Sequence, residues 1–237
     1  MMASDETALV LFSGGQDSTT CLAWALGRFS RVETIGFGYE QRHATELLAR
    51  PRILARLREE FPFWAPPLGT DHVLPLELLA EIGGSALVIG REEVALSPVS
   101  HGLPATFVPG RNILFLVAAA ALAYRRGIRH LVGGMCETDF AGYPDCRRAT
   151  IDALVRTLNL GMESSFEIHT PLMSLNKAET WALAESLGGT RFVQLIIDET
   201  VTCYAGDRNR KHDWGYGCNE CAACRLRAGG YERYIAR

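Results

Sequence analysis

The chain has 237 residues, 48% of them hydrophobic and 22% charged, with a net charge of −3. That length and balance fit a soluble globular protein built as one large α/β domain, or a domain with an appendage, and the charge offers no basic face for nucleic acid. The longest apolar run, Ile113–Ala123, spans 11 residues against the roughly 20 that a membrane-spanning helix needs, and the acidic start Met1–Thr7 is not a signal peptide.

The first expected strand is Ala8–Phe12. It runs directly into Ser13-Gly-Gly-Gln-Asp-Ser-Thr-Thr20, with a helix expected over Gln16–Arg28. Adjacent glycines let backbone approach an anion closely. The helix start adds unpaired N–H groups and the positive end of its dipole. Ser13, Ser18 and Thr19 supply hydroxyls, and Asp17 supplies a carboxylate for a magnesium ion bridging phosphates. The loop lacks the Gly-Lys-Ser/Thr of a Walker motif and the spacing of a dinucleotide fingerprint. The plain alternative is a Gly- and Ser-rich turn.

A second strand is expected over Val32–Tyr39, ending in the polar stretch Phe37-Gly-Tyr-Glu-Gln-Arg-His43. An amphipathic helix over Arg42–Phe61 follows, open to interruption at Pro51, and then a short strand at His72–Leu74. Phe61–Pro109 holds seven of the 10 prolines and the Gly83-Gly84 pair; it reads as a long loop or lid with short helices beside the site. Phe107-Val-Pro-Gly-Arg-Asn112 opens an apolar helix over Ile113–Arg126, and Arg129–Gly133 is the next strand. In the segment after it, Glu137, Asp139 and Asp145 can hold magnesium or accept from base N–H groups, while Phe140 and Tyr143 offer stacking faces. Singly, each acid is also an ordinary loop residue or cap, and Asp145 would suit a cap for the helix Arg147–Leu160. A strand at Phe166–His169 and a helix at Lys177–Leu187, capped by Asn176, complete the series. This alternation predicts an α/β fold, a parallel sheet with helices on both faces, and ligands outside the carboxyl ends of its strands.

Only Lys177 and Lys211 are lysine among 24 basic residues. A compact ammonium kept at Lys177 fits a phosphate role, set against a solvent-facing helix lysine. Seven cysteines with no secretion signal point to a reducing, cytoplasmic compartment and to metal or catalytic use. Cys218, Cys221 and Cys224 are spaced by two residues each, and 14 residues separate Cys203 from Cys218. Four thiolates complete a structural zinc site. An iron–sulfur cluster is the rival metal reading, and His212 is an alternative fourth ligand. Cys21 reads as a packed helix residue, and Cys136 and Cys146 are left unassigned.

The Ser13–Thr20 loop resembles the pyrophosphate loop of the N-type ATP pyrophosphatases. With Gln41-Arg42-His43, Phe107–Asn112, Glu137-Thr138-Asp139-Phe140, Gly142–Arg147, Thr170–Met173, Lys177-Ala-Glu-Thr-Trp181 and Thr202-Cys-Tyr204 through Cys224-Arg-Leu-Arg227, the chain resembles the QueC family. The likeness runs from Leu9 to Gly230 and is weakest between Ala44 and Thr106. Glu40 stands where the family usually has glycine, and the Asp207–Tyr216 loop is longer and more charged than usual.

The resemblance implies an adenine-nucleotide α-hydrolase-like, Rossmann-like fold with a C-terminal zinc-binding loop. It divides the chain into an ATP pyrophosphatase domain over 1–200 and a zinc-binding segment over 201–237 packed on it. It implies a carbon–nitrogen ligase that converts 7-carboxy-7-deazaguanine and ammonia to the nitrile with ATP and Mg2+, on the route to queuosine, as a homodimer with one structural Zn2+ per subunit. It gives Phe12, Ser13, Gly14, Gly15, Gln16, Asp17, Ser18, Thr19, Thr20, Arg111 and Lys177 to ATP. It gives Gln41, Arg42, His43, Asn112, Glu137, Asp139, Tyr143, Asp145 and Arg147 to the substrate. Asp17, Lys177, Arg42, His43, Glu137 and Asp139 are the catalytic candidates, and Cys203, Cys218, Cys221 and Cys224 the metal ligands. Two rival readings are a tRNA-modifying sulfurtransferase, which would use a redox cysteine pair and a basic face, and a zinc-ribbon binding module, which leaves the phosphate loop unexplained.

Overall fold

The computed structural model describes residues 4–38, 44–79, 107–138 and 143–237. Strands β1 (Ser4–Leu11), β2 (Phe29–Gly38), β3 (Leu68–Pro75), β4 (His130–Val132) and β5 (Glu167–His169) form one sheet in the order β3-β2-β1-β4-β5. Every pairing in it is parallel. Helices α1 (Gln16–Leu26), α2 (Ala44–Glu60) and α5 (Lys177–Glu199) cover one face, and α3 (Arg111–Arg126) and α4 (Arg148–Met162) the other.

Strand β1 shows why. Alternate residues of a strand point to opposite faces. Ala8, Val10 and Phe12 enter the core against α1, α2 and α5, while Leu9 enters the core against α3 and α4. A strand covered on both sides needs apolar residues at every position, and Ala8–Phe12 provides them. From β1 the chain moves to β2 on one side and later to β4 on the other. The crevice where the order reverses lies at the carboxyl end of β1, where such sheets bind ligands.

Three expectations change. Part of the supposed Phe61–Pro109 lid is strand β3, longer than expected at Leu68–Pro75; residues 80–106 of that span lie outside the described residues. Helix α2 runs through Pro51 without a break, with Pro51 on its exposed side, where a missing N–H is best tolerated. The helix expected over Lys177–Leu187 does end near there: Gly189 (φ 68°) is non-helical and kinks the chain. What the sequence reading lacked is the second helical stretch that follows it to Glu199, so α5 is two helices joined at a kink. The preceding Gly188 meets the indole of Trp64; a Cβ there would sit 2.6 Å from its ring. Phe61, Trp64 and Phe192 then pack as an aromatic group with centroids 4.7–5.8 Å apart.

Beyond α5, a small antiparallel pair, β6 (Lys211–His212) and β7 (Gly215–Tyr216), precedes α6 (Ala222–Ile235). Trp181 of α5 packs against Tyr231 of α6, ring centroids 5.2 Å apart.

Candidate active site

The phosphate loop begins where β1 ends. Gly14 has φ 95°, and a Cβ on it would collide with the Glu46 carbonyl oxygen, so glycine is required twice over. Ser18 Oγ accepts from the N–H groups of Ser13 (3.2 Å) and Gly14 (3.3 Å). Ser13 Oγ accepts from Gly15 N–H (3.2 Å). Gly15 stands at the N-terminus of α1 without a side-chain cap, so the helix directs uncapped amides and its positive end into the crevice.

Asp17 Oδ2 accepts from Lys177 Nζ at 2.6 Å. Lys177 is only 6% exposed, so its ammonium is held in the crevice. Its backbone is fixed by a capping box: Asn176 Oδ1 accepts from Ala178 and Glu179 N–H (2.9 and 3.1 Å), and Glu179 Oε2 accepts from Asn176 N–H (2.8 Å). Asp17 Oδ1 is buried without a hydrogen bond, as are both amide atoms of Gln16. Buried polar atoms are normally satisfied. An orphaned carboxylate oxygen beside a buried ammonium and an uncapped helix fits a magnesium-bound polyphosphate. The other predicted loop residues play supporting parts. Phe12 is core, and the hydroxyls of Thr19 and Thr20 donate to the carbonyls of Gly15 and Gln16.

The end of β4 lies against this loop; a Cβ on Gly134 would be 3.4 Å from Asp17 Cβ. Four of the predicted substrate residues, Asn112, Glu137, Tyr143 and Asp145, lie on the segments that meet at the starts of α3 and α4. Glu137 accepts from the Arg148 N–H at the start of α4. Asp145 does not cap the helix beside it: its Oδ2 accepts from Asn112 N–H of α3 at 2.9 Å. Asn112 Nδ2 in turn donates to Cys146 Sγ (3.2 Å). Tyr143 stacks on Phe107 at 5.7 Å and carries the Arg111 guanidinium 6.0 Å from its ring centroid. Arg147 is exposed. Gln41, Arg42, His43, Asp139 and Phe140 lie outside the described residues.

Cys203, Cys218, Cys221 and Cys224 converge, with one sulfur from each inside a 4.8 Å cluster. Cys218 and Cys224 are 3.9 Å apart, close to the roughly 3.8 Å edge of a tetrahedral zinc–thiolate site. Backbone N–H groups of Ala205 and Cys218 point at Cys203 Sγ, and those of Glu220 and Cys221 at Cys218 Sγ, at 3.3–3.4 Å. The Glu220 amide foremost lowers the Cys218 thiol to about 6, whereas burial raises the Cys221 and Cys224 thiols in the metal-free cluster. The cluster fits zinc. His212 is not part of it: its ring lies on Trp214 and its Nε2 is 3.0 Å from the Gly217 carbonyl. Cys21 is buried and burial pushes its thiol up, as expected of a packed residue.

This cluster is joined to the crevice. Arg227, fully buried on α6, donates to the carbonyls of Trp214 (3.0 Å) and Ile196 (3.0 Å) and to Thr202 Oγ1 (2.9 Å). Gly230 rests on Lys177, and a Cβ there would lie 3.0 Å from the Lys177 carbonyl carbon. A Cβ on Gly15 would be 3.4 Å from the Val201 carbonyl and 3.5 Å from Glu46 Oε1.

Glu46 and Arg50, both on α2, are site residues that the sequence reading missed. Burial raises the Glu46 carboxyl to about 7, against the Ser13 hydrogen bond and Arg111 that lower it; a group so poised can exchange a proton near neutrality. Arg50 donates to the Phe12 carbonyl, Asp71 and the His72 carbonyl, and it faces the Phe12 ring. It thereby pins the last residue before the loop. The only signal for either was an acid and a base on the amphipathic α2, which solvent-facing residues give equally.

Comparisons with known proteins agree with this geometry. A family model described as "Queuosine biosynthesis protein QueC" matches residues 7–235. A 7-cyano-7-deazaguanine synthase of Nitrobacter hamburgensis is 61% identical over 231 residues, covering 98% of this chain and 96% of the relative. One of Bradyrhizobium sp. (strain BTAi1) is 61% identical over 232 residues, with the same coverage. Among solved structures, a 4-thiouridine synthetase–RNA complex with bound ATP aligns with a TM-score of 0.53 at 16% identity, covering 98% of this chain and 54% of that one. That likeness shows the fold, of the adenine-nucleotide α-hydrolase-like class. The family match and the identity of these relatives show that the chain belongs to the QueC family.

Proposed function

We propose that this chain is a carbon–nitrogen ligase that converts 7-carboxy-7-deazaguanine and ammonia to 7-cyano-7-deazaguanine with ATP, as its relatives' name implies. A carboxylate is inert to ammonia, so its oxygen must first become a leaving group. Attack of the carboxylate on the α-phosphorus of ATP forms an acyl-adenylate and releases pyrophosphate. Ammonia displaces AMP and leaves the amide. The amide oxygen attacks the α-phosphorus of a second ATP and releases a second pyrophosphate; loss of AMP and the two N–H protons then gives the nitrile. Each product therefore consumes two ATP.

The observation that carries this reading is the Asp17–Lys177 pair beside the uncapped α1 terminus, with one Asp17 oxygen unsatisfied. Lys177 and Arg111 would neutralise charge developing on the leaving phosphates. Asp17 would hold Mg2+, which supplies charge neutralisation on the polyphosphate when bound. Arg42, His43, Glu137 and Asp139 are candidates for substrate recognition and proton transfer, with Tyr143 as a stacking face for the deazapurine. Cys203, Cys218, Cys221 and Cys224 would hold zinc; four protein ligands give a structural site with no open position. Among the described residues no helix is long and apolar enough to cross a membrane, and clustered thiols suit the cytoplasm. A homodimer and direct use of ammonia complete the proposal. Mass spectrometry after incubation with ATP, ammonia and the carboxy-deazaguanine should find the nitrile and two AMP per product. Release of one AMP, with the amide as end product, would refute the double activation.

A further inference from the structure

A second group of ligating side chains converges at the other end of α1. Asp17 is in the first turn of that helix and Trp24 in its last, about 10 Å further along. Strands β4 and β5 pair so that His130 stands beside Glu167, and Val132 beside His169. Residues two apart on a strand share a face. His130 and His169 accordingly both meet the Phe29 ring, at 5.0 and 5.7 Å, and Trp24 lies 5.6 Å from His169.

The donor atoms are close. His130 Nδ1 lies 3.1 Å from His169 Nε2. Glu167 Oε2 is 3.8 Å from the first nitrogen and 3.9 Å from the second. An ion about 2.1 Å from two imidazole nitrogens at the tetrahedral angle holds them about 3.4 Å apart, and no two of its ligands can be further apart than about 4.2 Å. All three separations fall under that limit, and the two longer ones place an ion close to the plane of its three donors. On the opposite side of its ring, His130 Nε2 lies 3.2 Å from Glu6 Oε2. A ligating histidine characteristically gives its other N–H to a carboxylate, which fixes the tautomer. In this structure that Nε2 is buried without a hydrogen-bond partner; rotation of the half-exposed Glu6 carboxylate onto the N–H would leave the Nδ1 lone pair toward His169.

We propose that His130, His169 and Glu167 form a second metal site, selective for a divalent transition cation of the zinc class and separate from the cysteine cluster. Two imidazoles and one carboxylate are the donors such cations favour over calcium or magnesium. Glu167 is 66% and His169 26% exposed on their side chains, which opens the site to solvent and leaves a fourth position for water. A bound ion would clamp the three-residue edge strand β5 to β4. The competing arrangement is a metal-free hydrogen-bonded chain that runs from His130 to His169 alone.

The test is a Co2+ titration of the full-length protein already carrying one zinc per chain. A second equivalent should bind at micromolar concentration or tighter, with the visible d–d bands of low-coordinate cobalt and no sulfur-to-cobalt charge transfer. Equilibrium dialysis with Zn2+ should count the same equivalent. His169→Gln, on the exposed side, should abolish it while the zinc already bound is retained. Glu6→Gln should weaken it about 10- to 100-fold. No second equivalent, binding only at millimolar metal, or binding unchanged in His169→Gln overturns the proposal in favour of the hydrogen-bonded chain.

Discussion

Gly230→Ala tests whether the cysteine-bearing segment governs the position of the Lys177 ammonium. Gly230 lies inside α6, where alanine would ordinarily stabilise the helix by about 1 kcal/mol. The added methyl would lie 3.0 Å from the Lys177 carbonyl carbon, 3.3 Å from its Cα, and closer still to its Cβ. Such contacts need about 3.5–4.0 Å, so against the Lys177 Cβ one backbone must give way by roughly 1–1.5 Å. Overpacking of this kind costs about 1–3 kcal/mol and exceeds the helix gain. The expected net loss is about 1 kcal/mol, or roughly 2–4 °C in Tm for a chain of this size. The effect on rate should be larger. A misplacement of about 1 Å in a reacting group can cost about 100-fold, so kcat for pyrophosphate release should fall about 10- to 100-fold. Zinc content should stay at the wild-type level. A variant with wild-type kcat, or one whose activity falls only as zinc is lost, would refute the coupling of α6 to Lys177.

Further tests address the rest of the site. The folded chain holds a proton on Glu46 between its ordinary value of 4.5 and its raised value of about 7. More protons are bound folded than unfolded there, so stability falls as pH rises through that window, by no more than about 3 kcal/mol. Glu46→Gln should flatten the slope in urea melts from pH 5 to 8; an unchanged slope would assign it elsewhere. Arg50→Lys cannot reproduce the fork that reaches Phe12, Asp71 and His72, and should destabilise by about 3 kcal/mol. Equal urea midpoints would show that the fork is dispensable. Removing zinc with a chelator should lower Tm by several degrees and abolish activity together, because α6 loses its anchor. A stripped protein that keeps both its Tm and its rate would contradict the structural role given to the thiols.

The features legible in the sequence are those whose signal is local. The apolar run Ala8–Phe12 showed a strand buried on both faces, the glycine pair after it showed a close-approach loop, and the spacing of Cys218, Cys221 and Cys224 showed a metal cluster. Features fixed by distant partners were not legible. The glycine pair does break the helix, at Gly189, but that Gly188 is demanded by Trp64 and that a second helical stretch follows the kink were hidden. Strand β3 lies at a sheet edge with a mixed burial pattern, so it lacks the apolar run that marked β1. Glu137 and Asp145 have the chemistry of substrate ligands, but their bonds to Arg148 and Asn112 belong to helix starts that no local pattern assigns to them. Arg50 and Arg227 resemble surface arginines until the chain folds around them.

The Asp17–Lys177 contact joins residues 160 positions apart. Closing a loop of that length carries an entropy term of about 4.5 kcal/mol, which one exposed ion pair in an unfinished chain cannot offset. The pair is therefore an outcome of completed folding. Chains in which β4 and β5 have not docked present the glycine loop without the ammonium, and the complete Asp17–Lys177 cradle exists only on a finished sheet.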